Sequence, residues 1–382
     1  MRVKRTVTDS NSNTIIISHK YDLRPSKAQH RRLSEICESQ RLLYNLCLEQ
    51  RINAWKNEKK SISYFDQCKL LTELRKQPEY SCIPVNIQRA TIKRLDEAFK
   101  GFFSRIKRGE KAGFPRFKGR DWWSSFGFSE FCGIRFDGKN ILIKGFTGKL
   151  RVWIHRKMPE DAEILGCTFK RNHKRWTVSF QTRTAKVTLL KTDKTVGIDM
   201  GLETLAYLSD GTKVENVRPS RRAAHKLRRC QRALARCKKG SKRRAKVKSQ
   251  VTKCHAKIAN TRETYLHQVS AKLVRENDTI VIEDLNVKGM AAGMLAKSVN
   301  DASWGKLRQF LEYKAENAGK QLVAVDPRYT SQTCPECGTI KKKTLSQRKH
   351  ECECGCSMNR DHAAAIVIKN RALMRPRLAN AA

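Results

Sequence analysis

The segment from Cys334 to Cys356 constrains this chain more than any other. Five of its 14 cysteines fall there, as Cys334-Pro-Glu-Cys337-Gly338 and, after a short loop, Cys352-Glu-Cys354-Gly355-Cys356. Two close thiolate pairs facing each other across a loop complete a tetrahedral S4 site, so the segment reads as a zinc ribbon. Glycine after Cys337 and after Cys354 supplies the positive φ that a tight turn at each knuckle needs. The expected ligands of one Zn²⁺ are therefore Cys334, Cys337, Cys352 and Cys354. The second pair is the short C-x-C form, and Cys356 is left as a spare thiol. Four protein ligands close the coordination sphere, which makes the ion structural and not catalytic. The other cysteines (Cys37, Cys47, Cys68, Cys82, Cys132, Cys167, Cys230, Cys237 and Cys254) are scattered singly and read as small buried or idle residues.

Charge decides the kind of partner. Lys and Arg number 80 against 36 Asp and Glu, a formal net charge of +44. Self-repulsion on that scale is relieved by a polyanion, and nucleic acid is the usual one. No run reaches the roughly 18 apolar residues of a membrane span, so a membrane is not an expected partner. The N-terminus, MRVKRTVTDS, is basic but lacks the apolar stretch of a signal peptide. The expected location is a reducing cytoplasm, where cysteines are thiols or metal ligands and not disulfides. A chain of 382 residues buries a sizeable core and divides into two or three domains.

Periodicity suggests where. Residues 14–24, TIIISHKYDLR, read as a strand. Ser26-x-x-Gln29 is a capping-box start to a helix with Leu33, Ile36, Leu43, Cys47 and Leu48 on one face. A second long helix runs from about Asn86 to Ile106, with Ile87, Thr91, Leu95, Ala98, Phe102 and Ile106 at helical spacing. From Gly113 to Thr188 the pattern alternates, in FGFSEF, IRFDGKNILI, KLRVWIH and RWTVSFQT, with a hairpin turn at Asp137-Gly138. The expectation is a small antiparallel barrel that includes the first strand and is interrupted by the helices. Aromatics interleave with cations in Phe114-Pro-Arg116-Phe117-Lys118 and Trp122-Trp123, as on nucleic-acid surfaces. The same residues equally suit a core with solvated neighbours.

Near residue 190 the pattern changes. KTVGIDMG, from Lys194 to Gly201, is a buried strand carrying one acid, followed by the strand–turn–strand ETLAYLSDGTKVEN. From Arg218 to Arg262 there is no acid, in a helical pattern broken at Gly240-Ser241. Thr279-Ile-Val-Ile-Glu283-Asp284 is another apolar strand ending in carboxylates. A helix (Trp304 to Ala318), a strand (Gln321 to Val325), the ribbon and a last helix from about Asn359 follow. This alternation implies an α/β domain with the ribbon inserted into it. No internal repeat is evident.

In so basic a chain, acids embedded in apolar strands need an explanation. Asp199 follows Val196 and Ile198, and Glu283 follows Ile280, Val281 and Ile282. Asp361 stands in the first turn of the last helix, where Asn359 can cap and the helix dipole favours negative charge. Each acid alone has an ordinary reading as a cap or turn residue. Together, from two strands and a helix N-terminus, they can converge on one point, where mutual repulsion calls for cations. Hard oxygen ligands suit Mg²⁺ or Mn²⁺. Two such ions clamp a phosphodiester during in-line displacement. The candidate metal-binding and catalytic triad is Asp199, Glu283 and Asp361.

VGIDMG, IVIEDLNVKGM, TSQTCPECG and NRDHAAA resemble the split RuvC-type nuclease centre and zinc ribbon of the TnpB family. These are insertion-sequence-encoded RNA-guided DNA endonucleases related to type V CRISPR effectors. RLLYNLCLEQR and DEAFKGFFSRIKRGEKAGFPRFKGR resemble that family's N-terminal half, so the resemblance covers nearly the whole chain. It implies an α+β multidomain protein. A wedge β-barrel would occupy 1–25 and 113–190, with a helical recognition lobe at 26–112 inserted into it. An RNase H-like (RuvC) α/β nuclease domain would occupy 191–329 and 358–382, with the ribbon at 330–357 as a target-nucleic-acid-binding insert. The resemblance also implies a guide RNA, a double-stranded DNA target beside a short motif, and two Mg²⁺ or Mn²⁺ ions at the triad. A monomer in a prokaryotic cytoplasm, on the nucleoid when target-bound, completes the expectation. Phosphate contacts are expected from Arg116, Lys118, Arg228, Arg229, Arg243 and Arg244. One departure stands out besides the short knuckle: where the family often reads R-D-x-N-A-A, this chain has Arg360-Asp361-His362-Ala363-Ala364-Ala365. Rival readings are a transposase or integrase of the same fold, whose acids run D, D, E where this chain has D, E, D, and a resolvase, which would not need the N-terminal half. A guide-bound or zinc-ribbon regulator without cleavage would be favoured by loss of an acid, and none is lost.

Overall fold

The structure is a computed structural model that describes residues 13–172, 175–344 and 346–374; the stretch MRVKRTVTDS lies outside the described residues. The chain forms two compact units, Met1–Ala185 and Lys186–Ala382. Among the described residues no helix is long and apolar enough to cross a membrane.

The first unit runs β1 (Thr14–Arg24), α1 (Lys27–Glu58), α2 (Tyr64–Leu74), α3 (Pro78–Ser81), α4 (Val85–Lys107), β2 (Ser125–Phe128), β3 (Ile134–Phe136), β4 (Asn140–Ile143), β5 (Leu150–Trp153), β6 (Glu163–Asn172) and β7 (Arg175–Ala185). The capping box forms as read: Ser26 Oγ accepts the Gln29 N–H at 3.2 Å, and Gln29 Oε1 accepts the Ser26 N–H at 3.0 Å. The seven strands pair antiparallel in the order β2-β6-β7-β1-β5-β4-β3. Gly138, at φ 87°, makes the β3–β4 turn.

Two expectations are corrected here. The end strands β2 and β3 do not pair with each other among the described residues, so the sheet is an open half-barrel and not a closed barrel. The helices pack on this open sheet: Leu33, Ile36, Tyr44, Ile87 and Leu95 share one core with Phe126, Phe169, Trp176 and Phe180. The apolar stripe of α4 also ends early. Its buried residues are Ile87, Gln88, Thr91, Ile92 and Leu95, whereas Phe103 and Ile106 are exposed. Beyond the core, Phe99, Phe102, Phe103 and Phe114 pack on one another.

The second unit runs β8 (Thr195–Met200), β9 (Thr204–Leu208), β10 (Lys213–Glu215), α5 (Pro219–Ala235), α6 (Lys242–Glu276), β11 (Thr279–Glu283), α7 (Val287–Met290), α8 (Ala296–Ala302), α9 (Trp304–Ala318), β12 (Gln321–Val325), β13 (Lys349–Glu351), β14 (Ser357–Asn359) and α10 (Arg360–Leu373). Its main sheet has the order β10-β9-β8-β11-β12. The β8–β9–β10 side is antiparallel, and β8, β11 and β12 are parallel. The chain is already bonded into this unit by Leu189, whose N–H donates to the Ala318 carbonyl at 3.1 Å.

Strand alternation assigns the two faces. Val196, Ile198, Ile280 and Ile282 pack with Leu266 and Leu273 of α6 and Leu307 and Leu311 of α9. Gly197, Asp199, Val281 and Glu283 fall on the opposite face. There Val281 and Val325 pack with Ile368 of α10. The cysteine-rich segment lies between β12 and α10, and its hairpin strand β14 runs directly into α10.

Candidate functional site

Strand register brings two acids side by side. The parallel pairing of β8 with β11 matches Thr195 to Thr279 and continues to Ile198 opposite Ile282. Asp199 and Glu283 are the next residue on each strand, at the carboxyl ends, on the face covered by α10. The third acid comes from how α10 docks. A Cβ on Gly197 would meet the Ala365 carbonyl at 2.1 Å and the Lys369 nitrogen at 2.6 Å, so the bare glycine is what lets the helix lie on β8. From Gly197 to Asp199 is two strand residues, about 6.6 Å. From Ala365 back to Asp361 is four helix residues, about 6 Å. The N-terminus of α10 therefore carries Asp361 to the level of Asp199. Asn359 caps it, its Oδ1 accepting the N–H groups of Asp361 at 2.9 Å and His362 at 3.3 Å.

The electrostatics agree with this convergence. Enclosure by protein, then the charges of Glu283 and Asp361, pushes the half-buried Asp199 carboxyl up to about 8, against the opposing pull of Arg360. Glu283 is raised as well, by burial, against its hydrogen bond from Thr330 and the positive charge of Arg371. The oxygens of the three acids do not all come within 4.8 Å of one another. Asp284, the neighbouring acid, takes no part. It is mostly exposed and accepts from Arg308 NH1 at 2.5 Å. Pattern reading missed Gly197 and Thr330. A glycine inside an otherwise buried apolar strand was the available signal for the first; the second stands at the head of TSQTCPECG, which singles the residue out without naming its partner.

The cysteine segment gathers a second group. The Sγ atoms of Cys334, Cys337, Cys352 and Cys354 all lie within 4.8 Å of one another. Cys334 approaches Cys354 at 3.6 Å, and Cys337 approaches Cys352 at 3.5 Å. Gly338 and Gly355 have φ values of 77° and 91°, so both knuckles turn through the conformation that glycine tolerates. This cluster could hold a metal ion. Cys356 is not idle in the packing: it is buried and forms, with Cys334 and the fully buried His350, another possible ligand group. The two groups share Cys334, and four thiolates make the more complete coordination sphere.

The expected nucleic-acid contacts divide. Arg228, Arg229 and Arg243 are exposed on the hairpin of α5 and α6, but Arg244 is engaged, NH1 donating to the carbonyls of Leu234 at 2.9 Å and Cys237 at 3.1 Å. Those bonds tie its guanidinium across the hairpin turn. Arg116 is exposed, whereas Lys118 is half-buried with Nζ 5.6 Å over the Tyr44 ring and its backbone N–H bonded to Asn45 Oδ1 at 2.8 Å. Phe114, Phe117 and Trp122 are exposed, but Trp123 is core, with the Arg94 guanidinium 4.3 Å over it.

Comparison with known proteins follows the same lines. The OrfB_IS605 model, described as "Probable transposase", matches residues 178–293, and the "Cas12f1-like, TNB domain" model matches residues 304–368. A "Helix-turn-helix domain" model of the OrfB_IS605 group matches residues 13–60, which here form a strand and one 32-residue helix. A Streptomyces pristinaespiralis protein named "Putative RNA-guided DNA endonuclease" is 35% identical over 356 residues, 91% of this chain and 87% of that protein. The Escherichia coli K12 protein "Putative RNA-guided DNA endonuclease InsQ" is 32% identical over 87% of this chain and 86% of its own length. Among solved structures, the Cas12f1-sgRNA-target DNA complex contains a chain that superposes with a TM-score of 0.63, covering 94% of this chain and all of that one at 13% identity. That likeness speaks for the fold, a mixed α/β architecture of the Cas12f1 kind. With close sequence kinship over nine-tenths of its length, the chain belongs to the TnpB (OrfB_IS605) family.

Proposed function

We propose that the protein is an RNA-guided DNA endonuclease encoded by an insertion sequence, cutting double-stranded DNA next to a short motif. The observation that carries this reading is that Asp199, on the strand beside the one that ends in Glu283, feels the charges of both Glu283 and Asp361, in a chain of charge +44. Relatives named as RNA-guided DNA endonucleases support it over most of their length. In this reading the second unit is a RuvC-type, RNase H-like nuclease domain, 191–329 and 358–382. The cysteine segment, 330–357, is a zinc ribbon, and the first unit supplies a wedge (1–25 and 113–190) and a recognition lobe (26–112).

The donor set fits divalent cations. It is all oxygen, and burial first, then the charges of Glu283 and Asp361, raise the Asp199 carboxyl, an environment that a bound cation would relieve. Asp199, Glu283 and Asp361 would hold Mg²⁺ or Mn²⁺. Bound there, a pair of ions supplies stabilisation of the attacking and leaving oxygens of an in-line phosphodiester displacement. Asp199, on the strand next to that of Glu283 and within reach of the charge of Asp361, would be the central donor of the set. The dipole of α10 holds the negative charge of Asp361 at its own N-terminus. The ribbon would carry one structural Zn²⁺ on Cys334, Cys337, Cys352 and Cys354, and the strand leaving it, β14, ends at the Asn359 cap. Metal in the ribbon would thus fix where Asp361 begins.

Guide RNA and target DNA are the partners this charge distribution serves. Exposed Arg228, Arg229 and Arg243 would contact phosphates without reading sequence. The test is to sequence the RNA that co-purifies with the protein and exchange its guide segment. Cleavage should move to the DNA that matches the new segment; cleavage indifferent to the exchange refutes guidance.

A further inference from the structure

We propose that Thr330 is a positioning residue for the acidic site, holding Glu283 from the loop that leads into the cysteine ribbon. The inference rests on the reading of Glu283 as a metal ligand. Thr330 Oγ1–H donates to Glu283 Oε1 at 2.5 Å, and the two side chains are buried at 4% and 7% exposure. The loop from 326 to 333 is itself well anchored. The Asp326 carbonyl accepts from Arg371 NH1 of α10 at 2.7 Å, and Asp326 Oδ1 accepts the Arg328 N–H at 2.9 Å. Tyr329 adopts φ 60°, and its carbonyl then accepts the N–H groups of Gln332 and Thr333 at 3.0 and 2.9 Å. Thr330 follows this turn immediately and stands four residues before Cys334.

A hydroxyl has one proton to give. Thr330 Oγ1 also lies 3.0 Å from the Pro327 carbonyl, so the proton serves one acceptor or the other. Facing an ionised carboxylate it goes to Glu283, because the charge-assisted bond is the stronger. Two effects follow. Oε1 is occupied, which fixes the rotation of the carboxylate and leaves Oε2 for a cation. The O–H dipole also meets part of the negative charge, easing repulsion with Asp199 in an enclosed site. Both ends of the ribbon then bear on the acids: Asp361 follows its exit strand, and Glu283 is held by its entry loop.

A merely structural Thr330 would lower stability without changing the demand for cations, and that difference is the test. The full-length protein purified with its own RNA is prepared as wild type, Thr330→Val, which keeps shape and loses the hydroxyl, Thr330→Ser, which keeps the hydroxyl, and Glu283→Gln. Mn²⁺ affinity is read by electron paramagnetic resonance titration, which needs no cleavage, alongside the Mg²⁺ concentration for half-maximal cleavage and the melting temperature in chelator. Thr330→Val should weaken Mn²⁺ binding and raise the Mg²⁺ requirement by roughly 10- to 100-fold, with Thr330→Ser close to wild type. Wild-type Mn²⁺ affinity in Thr330→Val overturns the inference, as does a loss that tracks melting temperature and is not rescued by serine. Glu283→Gln separates the two readings. If it binds Mn²⁺ and cleaves normally, the assignment of Glu283 falls; if it is inactive while Thr330→Val is normal, only the role of Thr330 falls.

Discussion

Adding one methyl group at Gly197 should damage cleavage more than it damages the fold. The new Cβ would lie 2.1 Å from the Ala365 carbonyl oxygen, 2.6 Å from the Lys369 nitrogen and 2.9 Å from the Lys369 Cβ, where ordinary contact begins at 3.4 Å. The two nearest atoms are backbone, so no rotamer change relieves the clash, and α10 must lift by more than 1 Å. Overpacking of this kind costs about 1–3 kcal/mol, and a backbone clash belongs at the upper end. In a unit of this size each kcal/mol moves the melting temperature by about 2–4 °C, so Gly197→Ala should melt roughly 6–12 °C lower. The same lift displaces Asp361 from Asp199, and a misplacement near 1 Å costs on the order of 100-fold in rate. Cleavage is measured well below both melting points and compared with Gly113→Ala, a site with nothing within 4 Å of the added carbon. Gly197→Ala that melts and cleaves like the Gly113→Ala control would refute this account of how α10 is seated.

The other expectations can be tested side by side. Metal analysis should find about one zinc per chain, kept in Cys356→Ser but lost, together with cleavage, in Cys334→Ser and Cys354→Ser. Zinc retained in Cys354→Ser and lost in Cys356→Ser would move the ion to Cys334, His350 and Cys356. Exchanging Arg228, Arg229 and Arg243 for Gln should weaken RNA binding and flatten its salt dependence by up to about one unit of slope per lost phosphate contact. An unchanged slope would leave these residues facing solvent. Asp278 is held well below the usual carboxylate range by its bond from Lys320 and by the backbone N–H groups of Asp193 and Thr192. A depressed carboxyl stabilises the fold above its ordinary range, near pH 4, and that contribution fades as pH falls further, so Asp278→Asn should lower the melting temperature at neutral pH and flatten its acid decline. An acid decline as steep as wild type would contradict this.

Local signals were readable directly, and long-range ones only where residue chemistry exposed them, as in the cysteine pairs. The strand at 14–24 and the Ser26/Gln29 cap have the bounds the pattern suggested, because periodicity and capping depend on neighbours a few residues away. The Asn359 cap is of the same kind. By contrast, the adjacency of Asp199 and Glu283 is a matter of β8–β11 register, fixed by packing across a long insertion; the sequence offered only two similar strands with similar endings. The half-barrel stayed hidden because closure depends on whether the end strands β2 and β3 pair, which alternation within each strand does not reveal. Arg244 looked like one cation among many, and only the hairpin geometry shows its guanidinium bonded to carbonyls. Thr330 opens the TSQTCPECG stretch that carries the resemblance, but nothing there tied it to Glu283, since the partner of its hydroxyl is 47 residues away.

The central claim is that Asp199 stands at a metal-dependent nuclease centre and does not bind the nucleic acid itself. The most direct measurement compares wild type and Asp199→Ala, each purified with its RNA, for RNA content, target-DNA binding and cleavage in Mg²⁺ and in excess chelator. Binding should be nearly unchanged, because it comes from dispersed cations. Cleavage should be absent from Asp199→Ala and, for wild type, absent in chelator. Full cleavage by purified Asp199→Ala, or wild-type cleavage that survives the chelator, would contradict the account.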